Sequence, residues 1–206
     1  DKIENINYIS MLSLHNSKNI ILDNINLSNN YIYDDMMHII YSKNIKISDS
    51  ILKNANFDAI DIDISRNIEI ENLEIKDSGN DALDLMESEA IIRDSLFENS
   101  KDKGISVGEN SSVKILKSIF NKNNIGIASK DGSKVYISNS KFNFNNEQMS
   151  AYKKNWQYGA PGEIKANNVH FENSKNILSS KNGSEINISN SIFKGPIEKD
   201  MNVVIN

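Results

Sequence analysis

The sequence predicts an all-β fold: a right-handed parallel β-helix, a solenoid of about eight coils with about 22 residues in each. Three observations carry that expectation. An apolar ladder recurs at near-constant spacing, the strands alternate with a period of two, and asparagine crowds the corners. The ladder runs Leu27, Leu52, Ile75, Phe97, Phe120, Phe142, Phe171 and Phe193, at intervals of 25, 23, 22, 23, 22, 29 and 22. A second ladder agrees with it: Leu22, Ile47, Ile70, Ile92, Ile115, Ile137, Ala166 and Ile188.

Units this short cannot each close a core, so each buries its apolar face against its neighbours. Helical periodicity is absent, and the two-residue alternation marks strands with one face inward. A β-propeller or a sandwich is the alternative, but both call for longer or less regular units. Within a unit the order is an alternating strand, a turn, an I-x-I-x-N-S segment, a short x-F-x-N strand and an Asn-rich corner. Asn and Ile each occur 33 times. Ile favours strands, and Asn accepts the left-handed geometry of sharp turns. The 29-residue interval places an insertion in the seventh coil, around "NWQYGAPG".

The 206 residues suffice for one β-helix domain over 1–206. Neither end carries a polar cap, which suggests a piece of a longer chain. Without cysteine there is neither a disulfide nor a Cys-based metal site. A net charge of -5 and no basic aromatic patch argue against nucleic acid as a partner. No apolar run reaches the ~18 residues of a membrane span.

In-register placement of the first strand of each coil gives "MLSLHN", "MMHIIYS", "AIDIDIS", "ALDLMES", "GISVGEN", "GIASKDG", "SAYKKNW" and "ILSSKNG". One outward row then reads Ser13, His38, Asp61, Asp84, Ser106, Ala128, Tyr152, Ser179. The next reads His15, Ile40, Asp63, Met86, Gly108, Lys130, Lys154, Lys181. Asp35, Asp58, Asp81 and Lys103 precede these strands, and Glu87, Glu109 and Asp131 follow them. Asp61 over Asp84 sets like charges about 4.8 Å apart. Such a stack costs free energy unless a cation, a proton or a lysine compensates. Trp156 and Tyr158 follow the same strand, so the insertion should overhang the row as an aromatic wall suited to sugar rings.

The phrases on this row resemble those of polygalacturonase-type glycoside hydrolases in the pectin-lyase-like β-helix superfamily. That family carries N-T-D-G-x-D, G-D-D and G-H-G-I-S-I-G on successive coils. Here "NFDAID" starts at Asn56, "GNDALD" at Gly79 and "DKGISVG" at Asp102, and Asp58, Asp81 and Lys103 lie 23 and 22 residues apart. The family's R-I-K segment would fall on "GIASK", ending at Lys130. Asn80 stands for one family aspartate, Lys103 for its histidine and Ala128 for its arginine. The chain also resembles bacterial surface or secreted β-helix proteins carrying phrases like "GNDALDL" and "AYKKNWQYG". The resemblance implies the fold, a polysaccharide partner and an extracellular or cell-surface location.

Two chemistries suit such a row on an acidic polysaccharide. In a hydrolase, one carboxylic acid protonates the leaving oxygen and another carboxylate activates water. Asp81 is the candidate acid, and Asp58 or Asp84 the base. In a lyase or epimerase, a base takes the proton beside a neutralised uronate carboxylate. Lys103 and Lys130 are the candidate base or clamp. Asp61, Asp63 and Asp84 are candidate ligands for Ca2+, which takes several oxygens. His38, Glu109, Asp131, Tyr152, Lys154, Trp156 and Tyr158 are candidate substrate contacts, His38 also an alternative base. A non-catalytic carbohydrate-binding or adhesive module is the competing reading, and a purely structural spacer a third.

Overall fold

The computed structural model describes residues 9–206. Their strands are short and pair in parallel, and the described residues contain no helix. None is therefore long and apolar enough to cross a membrane. The first sheet has nine strands, one per coil: Ser10–His15, Asp35–Ile40, Ile60–Asp63, Leu83–Met86, Lys103–Gly108, Ile125–Lys130, Glu147–Tyr152, Asn176–Ser180 and Ile197–Lys199. The remaining strands form a second, 15-stranded sheet. Two of them, Lys43–Ala55 and Arg66–Ser78, run through two sides of their coils, turned at Asp49 and Asn72 with φ of 49° and 50°.

Both apolar ladders hold position by position, from Leu27 opposite Leu52 to Phe171 opposite Phe193, and from Leu22 opposite Ile47 to Ala166 opposite Ile188. Period two is the cause. Ile60, Ile62, Leu83, Leu85, Ile105 and Val107 turn inward and are fully buried, while the residues between them face out. Phe97, Phe120, Phe142, Phe171 and Phe193 form one stack, with successive ring centroids 5.3, 4.5, 5.4 and 4.4 Å apart. Each stacked pair adds about 0.5–1.5 kcal/mol beyond the area it buries.

The corners explain the recurring asparagines and serines. Many corner residues take positive φ, among them Asn16, Asn99, Asn139, Asn168 and Asn190, a region Asn tolerates. The serines then satisfy the buried backbone. Ser42 N–H donates to Ser65 Oγ at 3.0 Å, Ser65 to Ser88 at 2.9 Å, Ser88 to Ser111 at 3.0 Å and Ser111 to Ser133 at 3.2 Å. A column of hydroxyls thus meets the demand that buried N–H groups find partners.

One register expectation is corrected. Ala128 pairs with Ser150, and Lys130 pairs with Tyr152. Tyr152 therefore belongs to the Lys130 row, in the place expected for Lys154, which lies beyond the strand. A slip of two residues keeps every side chain on its own face, so alternation alone cannot detect it. The phrase "NKNN" at 121–124, echoed by "NFNN" at 143–146, carries the true register. The insertion consequently begins after Tyr152, where 153–162 stands in place of the three-residue corners 109–111 and 131–133.

Candidate functional site

Three rows cross the outer face of the first sheet. His38, Asp61, Asp84, Ser106, Ala128 and Ser150 occupy the middle row, and Ile40, Asp63, Met86, Gly108, Lys130 and Tyr152 the row toward the strand ends. Asp35, Asp58, Asp81 and Lys103 stack where the strands begin, linked by backbone bonds from Met36 to Asp58, Ala59 to Asp81 and Ala82 to Lys103. The fold thus brings Asp58, Asp61, Asp63, Asp81, Asp84, Lys103 and Lys130 to one flank.

Asp58 and Asp81 each spend one oxygen on the next coil. Asp58 Oδ1 accepts Asp81 N–H at 2.7 Å and Asn80 Nδ2 at 2.8 Å. Asp81 Oδ1 accepts Lys103 N–H at 2.8 Å, with Lys103 Nζ 3.4 Å away. The pair does for this corner what serine does for the others. Burial pushes the Asp81 carboxyl up to about 7 despite the opposing Lys103 charge. Burial also raises Asp58, against the backbone bond from Asp81 and the Asn80 amide. Asp81 is only 2% exposed, so it meets Lys103 rather than a ligand in the groove.

Lys103 and Lys130 are both buried. Burial alone would discharge an ammonium. For Lys103 it is overcome by the Asp81 and Asp102 carboxylates, which hold the pKa above that of a free lysine. Lys130 is likewise raised against burial, by Asp84, Glu109 and Tyr152. Both therefore stay charged at neutral pH, as clamps need and bases do not. Lys130 Nζ lies 3.9 Å from Asp84 Oδ1, two coils back. Its stem crosses Gly108, where an added Cβ would stand 2.5 Å from Lys130 Cε. Gly108 and Asp102 shape the site, yet their places on the row and in the "DKGISVG" phrase did not reveal their roles, which depend on side-chain paths across coils.

Tyr152 packs beside the two ammonium groups, and burial raises its phenol despite their charges. The phenol is therefore neutral and a proton donor at physiological pH. Ser106 lies on the floor of this half, fully buried, its hydroxyl without a partner. Burial raises Glu109, although Lys130 opposes the shift.

The insertion folds back along the corners that follow the strands. Tyr158 OH donates to Glu87 Oε1 at 3.2 Å, bridging from coil seven to coil four. Asp131 anchors the start of the loop: it is fully buried, and its Oδ1 accepts Lys154 N–H and Asn155 N–H, each at 2.7 Å. Asp131, expected as a substrate contact, thus holds backbone through Oδ1, while its buried Oδ2 has no partner. Lys154 itself is exposed, and Trp156 is 82% exposed, free to meet a ligand and packed into no loop core.

At the acidic end, His38 Nε2 lies 3.4 Å from Asp63 Oδ2 and 3.8 Å from Asp61 Oδ2. Burial lifts Asp61 to about 8 and Asp35 to about 7, with neighbouring carboxylates adding to both. His38 is raised chiefly by its bond to Asp63, against burial. Asp84 is not grouped with these donors; it leans toward Lys130.

The comparisons with known proteins agree with this architecture. A surface adhesin of Streptococcus pneumoniae, PfbA, is similar in structure with a TM-score of 0.64 and 15% identity, over 81% of this chain and 53% of that one. The chain thus spans about half the length of that adhesin. An alginate lyase from Paenibacillus sp. str. FPU-7 is similar with a TM-score of 0.58 and 14% identity, over 82% of this chain and 76% of that one. At such identities the likeness is one of fold. No curated protein matches the sequence. The family described as right handed beta helix region matches residues 9–160, and the chain belongs to that family.

Proposed function

We propose that the chain is a cell-surface or secreted protein that cleaves or modifies an acidic polysaccharide, by β-elimination at a uronate, in the groove over coils four to seven. The observation that carries this reading is the pair of buried, charged lysines, Lys103 and Lys130, on one flank beside Tyr152 and Asp84. A uronate carboxylate set between the two ammonium groups is neutralised, which acidifies the adjacent C–H. Asp84 stands where it can take that proton, and the neutral Tyr152 phenol where it can give one to the leaving oxygen. Asp81 is then a positioning residue for Lys103. Elimination suits this flank better than hydrolysis, because Asp58 and Asp81 are tied to backbone and Lys103. Exposed Trp156 and partly buried Tyr158, on the insertion that reaches back to Glu87, are the aromatic residues offered to a linear glycan. The resemblance in fold to an alginate lyase supports a substrate of this class.

The second reading is a glycan-binding or adhesive module, favoured by the fold it shares with a surface adhesin. One experiment separates the two. The protein is incubated with alginate, polygalacturonate and hyaluronate, and product is followed by ultraviolet absorbance of unsaturated uronates and by reducing ends. Unsaturated product supports elimination. Reducing ends without absorbance mean hydrolysis. Retention on a glycan without product means binding alone, and no retention on any of them removes the acidic-glycan reading.

A further inference from the structure

The geometry points to a binding site for one divalent first-row transition ion, of the Zn2+ or Mn2+ kind, held by His38 Nε2, Asp61 Oδ2 and Asp63 Oδ2. These donors come from neighbouring strands, Asp35–Ile40 and Ile60–Asp63, at the end of the row away from the lysines. All lie within 4.8 Å of one another.

The separations decide what the cluster can do. The 3.4 Å and 3.8 Å from Nε2 to the two carboxylates are long for charge-assisted hydrogen bonds, which run to about 2.7–2.9 Å. They suit a coordination shell. Donors about 2.1 Å from an ion stand about 3.4 Å apart across a tetrahedral edge and about 3.0 Å across an octahedral one. Binding would draw the three donors together from separations of up to 4.8 Å.

The second observation concerns the ring itself. His38 is 6% exposed, yet its Nδ1 has no partner and its Nε2 has only the long carboxylate contacts. Contacts this weak at a buried Nε2 are what an ion between the ring and the two carboxylates would replace. Here the ring packs edge-on against His15, with centroids 5.6 Å apart, so packing fixes it with Nε2 toward the two carboxylates.

Donor chemistry selects the ion. One imidazole with two carboxylates suits zinc, manganese or iron. Calcium wants six to eight oxygens, and the third carboxylate expected for it, Asp84, leans instead toward Lys130. Three protein donors leave positions for water or a sugar oxygen on the outward side. The site stands apart from the lysine half and does not depend on the glycan reading.

The test uses the described chain and no glycan. Zn2+, Mn2+ and Ca2+ are titrated separately into the protein by calorimetry, with Tm recorded for each. One equivalent of Zn2+ or Mn2+ should bind, raise Tm, and outcompete Ca2+. His38→Gln and Asp63→Asn should each weaken binding by about tenfold or more, while Asp94→Asn, on a remote corner, should bind as the parent does. Far-ultraviolet circular dichroism and a cooperative melt establish that each variant is folded. A variant that does not fold is replaced by Asp61→Asn, which carries the same expectation. Neither heat nor a Tm shift at millimolar Zn2+ and Mn2+ overturns the assignment. So does undiminished binding in the folded variants, or a preference for Ca2+.

Discussion

Coils two to four and coils five to seven carry the same strands in the same register, yet their outer faces differ in charge. The first half stacks Asp35, Asp58, Asp61 and Asp63 around His38, and the second sets Lys103 and Lys130 beside Tyr152. The backbone does not distinguish the halves, because every outward position is returned about 4.8 Å along the axis whatever side chain it holds. What differs is compensation. In the lysine half each ammonium faces a carboxylate, Lys103 with Asp81 and Lys130 with Asp84, and both remain charged. In the acidic half the carboxylates crowd one another, and Asp61 rises to about 8. On the proposals above, the lysine half receives an anion and the acidic half a cation.

The largest expected effect lies in the lysine half. Tyr152→Phe removes the proposed proton donor while keeping the ring, and should lower product formation by about 10²–10⁴-fold with little change in glycan retention. Steady-state kinetics beside an affinity column check this. Unchanged turnover would remove Tyr152 from the chemistry.

Gly108→Ala sharpens the same comparison without touching a charged group. The added Cβ would meet the Lys130 stem, and the residue's φ needs no glycine. The fold should persist while Lys130 is displaced from Asp84. A displacement of about 1 Å can cost up to about 10²-fold in rate. A loss of turnover with an unchanged Tm is expected, whereas equal loss in both would mean that Gly108 serves packing alone.

The Asp81 carboxyl yields a prediction with a definite sign. Its folded pKa is about 7 against 3.8 for a free aspartate side chain. The native state therefore holds a proton that the unfolded chain has released, and this contribution to stability is lost as pH rises from about 4 to about 7. Asp81→Asn cannot titrate. The stability of the parent relative to the variant should fall across that window, as read by urea denaturation at several pH values. A flat difference would show that Lys103 offsets the burial of Asp81 entirely.

The smallest effect belongs to a corner. Ile64 follows Asp63 with φ of 46°, a left-handed geometry that costs a β-branched residue about 1–2 kcal/mol. The equivalent corners of coils one and six use Asn16 and Asp131, and Ile64→Asn should raise stability by about 1 kcal/mol, visible as a Tm increase of a few degrees. No gain would mean that the partly buried Ile64 side chain repays its strain by packing.

The fold was legible because apolar spacing and parity are local signals that every coil repeats. Phe97 to Phe193 announced their stack in the sequence. The site was legible only as far as rows could be drawn. Asp58, Asp61, Asp81, Asp84, Lys103 and Lys130 share a flank because the period places them there. Tyr152 fell two residues out of place, since an even slip leaves parity intact. Asp131 turned from groove to backbone, and Gly108 acquired a purpose, through side-chain paths that a period cannot encode. His38 stood on the expected row, one coil from Asp61 and two from Asp84, so register brings it to Asp61, and its side-chain path brings it to Asp63.

The most direct test of the two-halves account is one titration. An oligouronate and the same oligosaccharide with its carboxyl groups reduced to alcohols are each titrated into the protein by calorimetry. If Lys103 and Lys130 receive carboxylates, the charged ligand should bind at least about tenfold more tightly, as expected for a charge-assisted contact contributing about 1.5 kcal/mol or more. Equal affinities, or tighter binding of the reduced ligand, would contradict it.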